Sequence, residues 1–219
     1  LNIMRRESFR DDTVDYAAVG ATQASDLMQY PPHGSRPAEE SWRLGSGEER
    51  FRTAGESLLS WQALKAGGLT MSEGRPASAP GYSGVSFDED GKPIVPPSLM
   101  AEQRFDADGT PLVSAGSSVR VHGRLGGLKV DADLRVIFAV EEARRIGFAL
   151  GTVGDSVVSG EESFMVTWLP NDEVWFTVRA FDTPASWLYK LSPSLVRRRR
   201  NELFKRYLRA MSPLWVSPA

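Results

Sequence analysis

The sequence predicts an α+β fold, an antiparallel strand meander closed by one long amphipathic helix over residues 134–211. Three observations carry this. Strand-length runs recur at Arg135–Ala143, with Val136, Ile137, Phe138 and Val140, and at Arg145–Val153, with Ile146, Phe148 and Leu150, bounded by charge or glycine. Glu161–Leu169 and Glu173–Phe181 alternate around the turn Pro170-Asn171-Asp172, the pattern of a hairpin. Leu203, Phe204, Tyr207, Leu208 and Met211, with Leu195 and Val196 before them, then make a single helical stripe.

Each element has local support. The tight connection Glu141–Arg145 makes the first two strands neighbours. In the last strand Val174, Phe176, Val178 and Ala180 share one face, and Trp175, Thr177, Arg179 and Phe181 share the other. One face must meet a core, and the mixed one is expected to border a cavity. Asp182-Thr183-Pro184 ends the strand. Trp187, Leu188 and Leu191 begin helical spacing before Ser192-Pro193 supplies an N-cap and a proline at the first helical position. Ser212-Pro213 stops the helix.

Upstream the signals are weaker. Residues 1–40 are polar and hold the turn cluster Tyr30–Pro37, which predicts a loop or extended arm. Ser41–Leu44 suggests a short strand. Phe51, Ala54, Leu58, Trp61 and Leu64 share a helical face, with Ser46 the expected N-cap, Glu48 and Glu49 in the first turn, and Gly67-Gly68 as the stop. Residues 74–118 are rich in Gly, Pro, Ser and Asp, with hairpin signals at Asp88–Gly91 and Asp106–Gly109 separated by Pro96-Pro97. They predict an irregular insertion or flap. Val119–Gly123 reads as a short strand.

At 219 residues the chain is sized for a single domain, 1–219. A formal net charge of −2 supplies no basic field for phosphates, so nucleic acid is not an expected partner. The absence of cysteine excludes disulfides, thiolate metal sites and cysteine nucleophiles. Residues 1–6, Leu-Asn-Ile-Met-Arg-Arg, have no apolar run behind their charges, and no window reaches about 18 uninterrupted apolar residues, so neither a signal peptide nor a membrane span is expected. The default compartment is the cytoplasm. A chain that opens on Leu1 ahead of Met4 suggests a trimmed start.

Tyr16–Thr22, Gly45 and Gly47 before a helix ending near Trp61, Gly147–Thr152, Gly160-Glu161-Glu162 and Val174–Phe181 together resemble the bacterial and plant DUF1990 family. Pro184-Ala185-Ser186-Trp187-Leu188 and Tyr207-Leu208-Arg209-Ala210 are similar to it as well. The resemblance reaches both ends of the chain, is most specific in the last seventy or so residues, and is looser over 74–133. Where the family has an Asn-Pro-Cys-like approach to the first meander strand, this chain has Asp131-Ala132-Asp133. The resemblance implies, by analogy, a helix-grip (START-like, Bet v 1-like) architecture, a curved antiparallel sheet wrapped on the C-terminal helix. It transfers no activity, because fold alone does not determine function.

Candidate chemistry is sparse. The two histidines, His33 and His122, have no metal-ligand spacing, and each reads as a surface, turn or satisfied residue. Adjacent residues on a strand face opposite ways, so of Glu161 and Glu162, or of Glu141 and Glu142, one can face a cavity. A buried carboxyl there would have a raised pKa and could exchange a proton, and the family motif favours Glu162. Arg179 is a fixed bidentate donor for a carbonyl or oxyanion, or the partner of a strand carboxylate. Tyr16, Trp61, Trp168, Trp175, Thr177 and Phe181 are the expected pocket wall, although aromatics at strand spacing are more often core. Arg197–Arg200 spread around a helix rather than forming one basic face.

These residues predict a protein that binds a small, largely apolar molecule in an internal cavity without metal or other cofactor. In its catalytic version it is a cofactor-free cyclase or lyase of specialised metabolism, with Arg179 orienting or polarising, Glu162 exchanging a proton, and residues 74–118 acting as a lid. The alternative is a non-catalytic ligand-binding or protein-interaction module. Either form is compatible with a homo-oligomer.

Overall fold

The computed structural model describes residues 14–66, 68–75, 86–87, 93–94, 104–105, 109, 111–125, 128–154, 158–184 and 193–212. Seven strands form one antiparallel sheet: β1 (Arg36–Ser46), β2 (Leu69–Arg75), β5 (Ser118–Leu125), β6 (Leu128–Glu142), β7 (Arg145–Val153), β8 (Val158–Trp168) and β9 (Glu173–Pro184). Their spatial order is β1-β9-β8-β7-β6-β5-β2, so the first strand closes onto the last. Two short strands, β3 (Ser86–Phe87) and β4 (Pro93–Ile94), pair separately and enclose the hairpin signal at Asp88–Gly91. Bulges at Arg43/Gly45 in β1 and Val136/Phe138 in β6 interrupt the ladder, the device that bends strands and increases twist.

Among the described residues three α-helices cover the inner face: α1 (Glu48–Leu59), α2 (Gln62–Ala66) and α3 (Pro193–Met211). A sheet gripping a long C-terminal helix in this way is the helix-grip, START-like architecture. Phe148 of β7, Phe164 and Val166 of β8, and Val174, Phe176 and Val178 of β9 are all fully buried in one cluster with residues of α1 and with Phe204 and Tyr207 of α3. Burying one such side chain contributes about 1.5–3 kcal/mol, so this layer is the main source of cohesion. The apolar stripe on α3 therefore faces the apolar row of β9, and the mixed row of β9 becomes the outer face.

Several boundaries differ from the sequence expectations for local reasons. The first strand is eleven residues long and begins within the expected arm, because Pro37 sits on an edge strand where a missing N–H costs no ladder bond. Ser46 ends this strand instead of capping α1; Gly47, with φ of 90°, occupies the cap position without a side-chain hydrogen bond. The expected single helix is split at Trp61, whose φ is 67°. The meander starts before Leu134, because β5 and β6 pair continuously with Arg120, Asp131 and Asp133 on one side and Val119, Val121, Ala132 and Leu134 on the other. Expectations for Gly67, Pro96-Pro97, Trp187, Leu188, Leu191 and Ser192 fall outside the described residues.

The arm over residues 14–35 packs against the outer face through one buried carboxylate. Glu161 is 3% exposed and accepts from the Tyr16 hydroxyl (2.8 Å), the Gly20 amide (2.7 Å), the Thr22 amide (3.1 Å) and the Thr22 hydroxyl. Burial, with the negative charge of Glu161 beside it, pushes the Tyr16 pKa up, which keeps the phenol a donor. Gly151 makes the room: a Cβ there would collide with the Tyr16 ring, which also meets Phe181 edge-on at 5.6 Å. Asp15 adds a second tie, accepting from the Ser159 hydroxyl at 2.8 Å.

Glu161→Ala is expected to undock this arm rather than unfold the sheet. The freed donors can turn to water once the arm lifts, so the loss is capped at the docking free energy, on the order of 2–3 kcal/mol. Amide exchange at Gly20 and Thr22 should accelerate while Phe164 and Phe176 keep their protection. Unchanged exchange at Gly20 would show that Glu161 is not the anchor.

Candidate functional site

The inner rows of β8 and β9 change character toward one end. On β9 the apolar series Val174, Phe176, Val178, Ala180 is followed by Asp182, and on β8 the series Val166, Phe164 is followed by Glu162. Ala180 lies opposite Glu162, which places the two acids diagonally on the same face. Arg200 and Tyr207 descend onto them from α3. The Arg200 guanidinium donates through Nη1 to Asp182 Oδ2 at 2.7 Å and to the Arg36 carbonyl at 2.8 Å. The Tyr207 hydroxyl donates to Glu162.

Behind this polar end stands a column of rings. Tyr207 meets Phe164 edge-on at 5.1 Å, Phe164 meets Phe148 at 5.1 Å, and Phe148 meets Trp61 at 5.4 Å. The arrangement is thus an acid–phenol pair and an ion pair at the end of an apolar column.

Its electrostatics follow from that placement. Burial pushes the Glu162 carboxyl up to about 8; the hydrogen bond from Tyr207 opposes this, the charge of Asp182 adds to it, and Arg200 opposes it. Burial, followed by the neighbouring Glu162, holds the Tyr207 phenol well above its ordinary value. At neutral pH the pair is therefore an acid hydrogen-bonded to a phenol. Asp182 Oδ1 and Arg200 Nε are buried without a hydrogen-bond partner among the described residues. An acceptor and a donor are left over beside a titratable proton.

The structure divides the residues expected to form one pocket. Glu162 faces α3, whereas Arg179 projects from the outer face, where its Nε donates to Glu39 at 2.6 Å and its Nη1 to the Ala24 carbonyl at 3.2 Å. Arg179 and Glu162 therefore do not share a site, which corrects that expectation; the cause is strand alternation, since Arg179 lies opposite Ser163 and not Glu162. Thr177, Trp175, Phe181 and Tyr16 are likewise on the outer side, Thr177 bonded to Ser41 at 2.9 Å and Trp175 to Glu173 at 3.0 Å. Trp61 and Trp168 lie on the inner side but serve packing, Trp61 against Phe148 and Trp168 stacked on Phe51 at 6.0 Å.

Asp182 and Arg200 are the members that sequence reasoning missed. Both had a signal. Asp182 continues the inward period of β9, and Arg200 stands four residues before Phe204 and seven before Tyr207, on the buried stripe of α3. Among the described residues there is no group of three His, Cys, Asp or Glu placed to hold a metal, and no helix long and apolar enough to cross a membrane.

The chain belongs to the DUF1990 family, whose model matches residues 15–95 and 99–210. A comparison with curated proteins finds no match. Among solved structures it is similar to a hypothetical protein of Helicobacter pylori, at 10% identity and a TM-score of 0.46 over 83% of this chain and 90% of that one. It is also similar to norcoclaurine synthase of Thalictrum flavum, at 9% identity and a TM-score of 0.42 over 84% of this chain and 90% of that one. A third similarity is to the two-domain ARO/CYC protein BexL of the BE-7585A biosynthetic pathway, at 7% identity and a TM-score of 0.48; it covers 89% of this chain and 54% of that one.

Proposed function

We propose that the protein binds a small, largely apolar molecule between the sheet and α3 and that Glu162 exchanges a proton with it, as in a cofactor-independent lyase or cyclase. The observation that carries this reading is the Glu162 carboxyl itself, raised to about 8 by burial and held by the Tyr207 hydroxyl. A general acid–base works best when its pKa lies near the operating pH. The unpartnered Arg200 Nε and Asp182 Oδ1 supply a donor and an acceptor for a carbonyl or hydroxyl on the ligand. The ring column offers the apolar wall. Confinement would orient the substrate, and the proton would pass to or from Glu162 with Tyr207 as its hydrogen-bonded neighbour.

A second, non-catalytic reading is favoured by one fact: Phe148, Phe164, Phe176 and Phe204 are fully buried, so the described part of the layer is closely filled. The two readings separate in a single experiment. With α-tetralone, an apolar aryl ketone, as probe, hydrogen–deuterium exchange at the carbon next to the carbonyl should be accelerated by the protein and should rise as pH passes about 8, where Glu162 becomes a base. Glu162→Gln should lower that acceleration about 10²–10⁴-fold, the usual contribution of a positioned acid–base group, while the ketone still binds. Binding with no difference between wild type and Glu162→Gln would establish the non-catalytic reading.

A further inference from the structure

On the opposite side of the sheet lies a trough of about 230 Å³ that the site above does not use. On that face β7 carries the small residues Gly147 and Ala149 between the larger Phe138 of β6 and Met165 of β8, and the latter two line the trough. Register places its polar groups at two ends of the same strand. Thr167 pairs with Arg145, and four residues away Ser163 pairs with Arg179, about 13 Å along the backbone. The arm docked by Glu161 adds Thr22 and Gln23 to the rim.

The charges are unbalanced. Arg179 is engaged by Glu39, which also lines the trough, whereas among the described residues Arg145 pairs with Glu142 at 3.8 Å, at the surface and outside the trough lining. This leaves the trough a net cation at the Arg145 end. At the other end Ser163, 5% exposed, lines the trough. Nothing in the inner site requires either residue.

We propose that this outer trough is a second binding site, for a small amphiphilic carboxylate that carries a hydroxyl or carbonyl at its far end. The carboxylate lies on the Arg145 guanidinium beside the Thr167 hydroxyl. The apolar body rests between Phe138 and Met165, and the distal polar group meets the Ser163 hydroxyl. Glu39 makes the Arg179 end unsuited to the carboxylate and so sets the direction in which the molecule lies. The site is independent of Glu162, from which the sheet separates it.

The test is a backbone-amide NMR titration with 4-hydroxyphenylacetate, compared with its neutral amide, 4-hydroxyphenylacetamide. The acid should shift the amides of Gly147, Ser163, Met165 and Thr177 with millimolar or tighter affinity and bind about tenfold more tightly than the amide. Arg145→Gln, a change at an exposed side chain, should abolish that preference, and Ser163→Ala should weaken acid and amide alike. Equal affinity for the two probes, shifts centred on Glu162 and Asp182, or no shift at millimolar concentration would each overturn the proposal.

Discussion

Replacing Arg200 with Met is expected to lower stability by about 3–5 kcal/mol, read as a lower urea midpoint at unchanged slope. The loss exceeds that of an ordinary ion pair because both partners are withdrawn from water, with side chains 14% and 17% exposed. Removing the cation strands Asp182 at the inner face without its partner, and the Arg36 carbonyl loses a donor as well. Exposed pairs such as Arg52–Glu56 on α1 should contribute less than about 1 kcal/mol by comparison. The double variant Arg200→Met/Asp182→Leu should recover most of the loss, because a buried pair replaced by apolar side chains costs little. If the double variant is as unstable as the single one, the defect lies in the tie between α3 and β1 and not in the stranded charge.

The same pair shows what was legible in the sequence. Periods of two and of about 3.6 identified β8, β9 and α3 and separated the two rows of β9 correctly. They could not say which row the helix would cover. That is decided by contacts between residues some 140 positions apart, such as those of Tyr16, Gly20 and Thr22 with Glu161, for which no local pattern exists. The cavity was accordingly expected on the mixed row of Trp175, Thr177, Arg179 and Phe181, whereas the row that meets α3 is the apolar one. Arg200 was lost for another reason. Four consecutive arginines share one composition, and only its spacing to Phe204 and Tyr207 marks Arg200 as the inward member.

The two faces also divide the chemistry. Glu161 and Glu162 are neighbours in sequence, yet the pleat sends one into a set of four donors that anchors the arm and the other under α3 beside Tyr207. The first is a structural tie. The second is suited to a movable proton.

Glu162→Gln is therefore expected to change the pH dependence of stability more than stability at any single acidic pH. The folded carboxyl is raised to about 8 from an ordinary value of 4.5. Below pH 4.5 both folded and unfolded chains hold the proton, and the group contributes nothing. Between the two values the unfolded chain releases it while the folded chain retains it, so stability falls as pH rises, and the fall levels off above about 8. A displacement of this size corresponds to a penalty on the order of 3–5 kcal/mol once both states are ionised. Gln resembles the neutral acid, can still accept from Tyr207 and does not titrate. The variant should match wild type near pH 3.5 and exceed it by that amount near pH 9, in urea melts where the difference between the two curves removes every other titrating group. A difference curve flat from pH 5 to 9 would mean that Glu162 is not held neutral, and the proton that the proposed chemistry depends on would not be there to exchange.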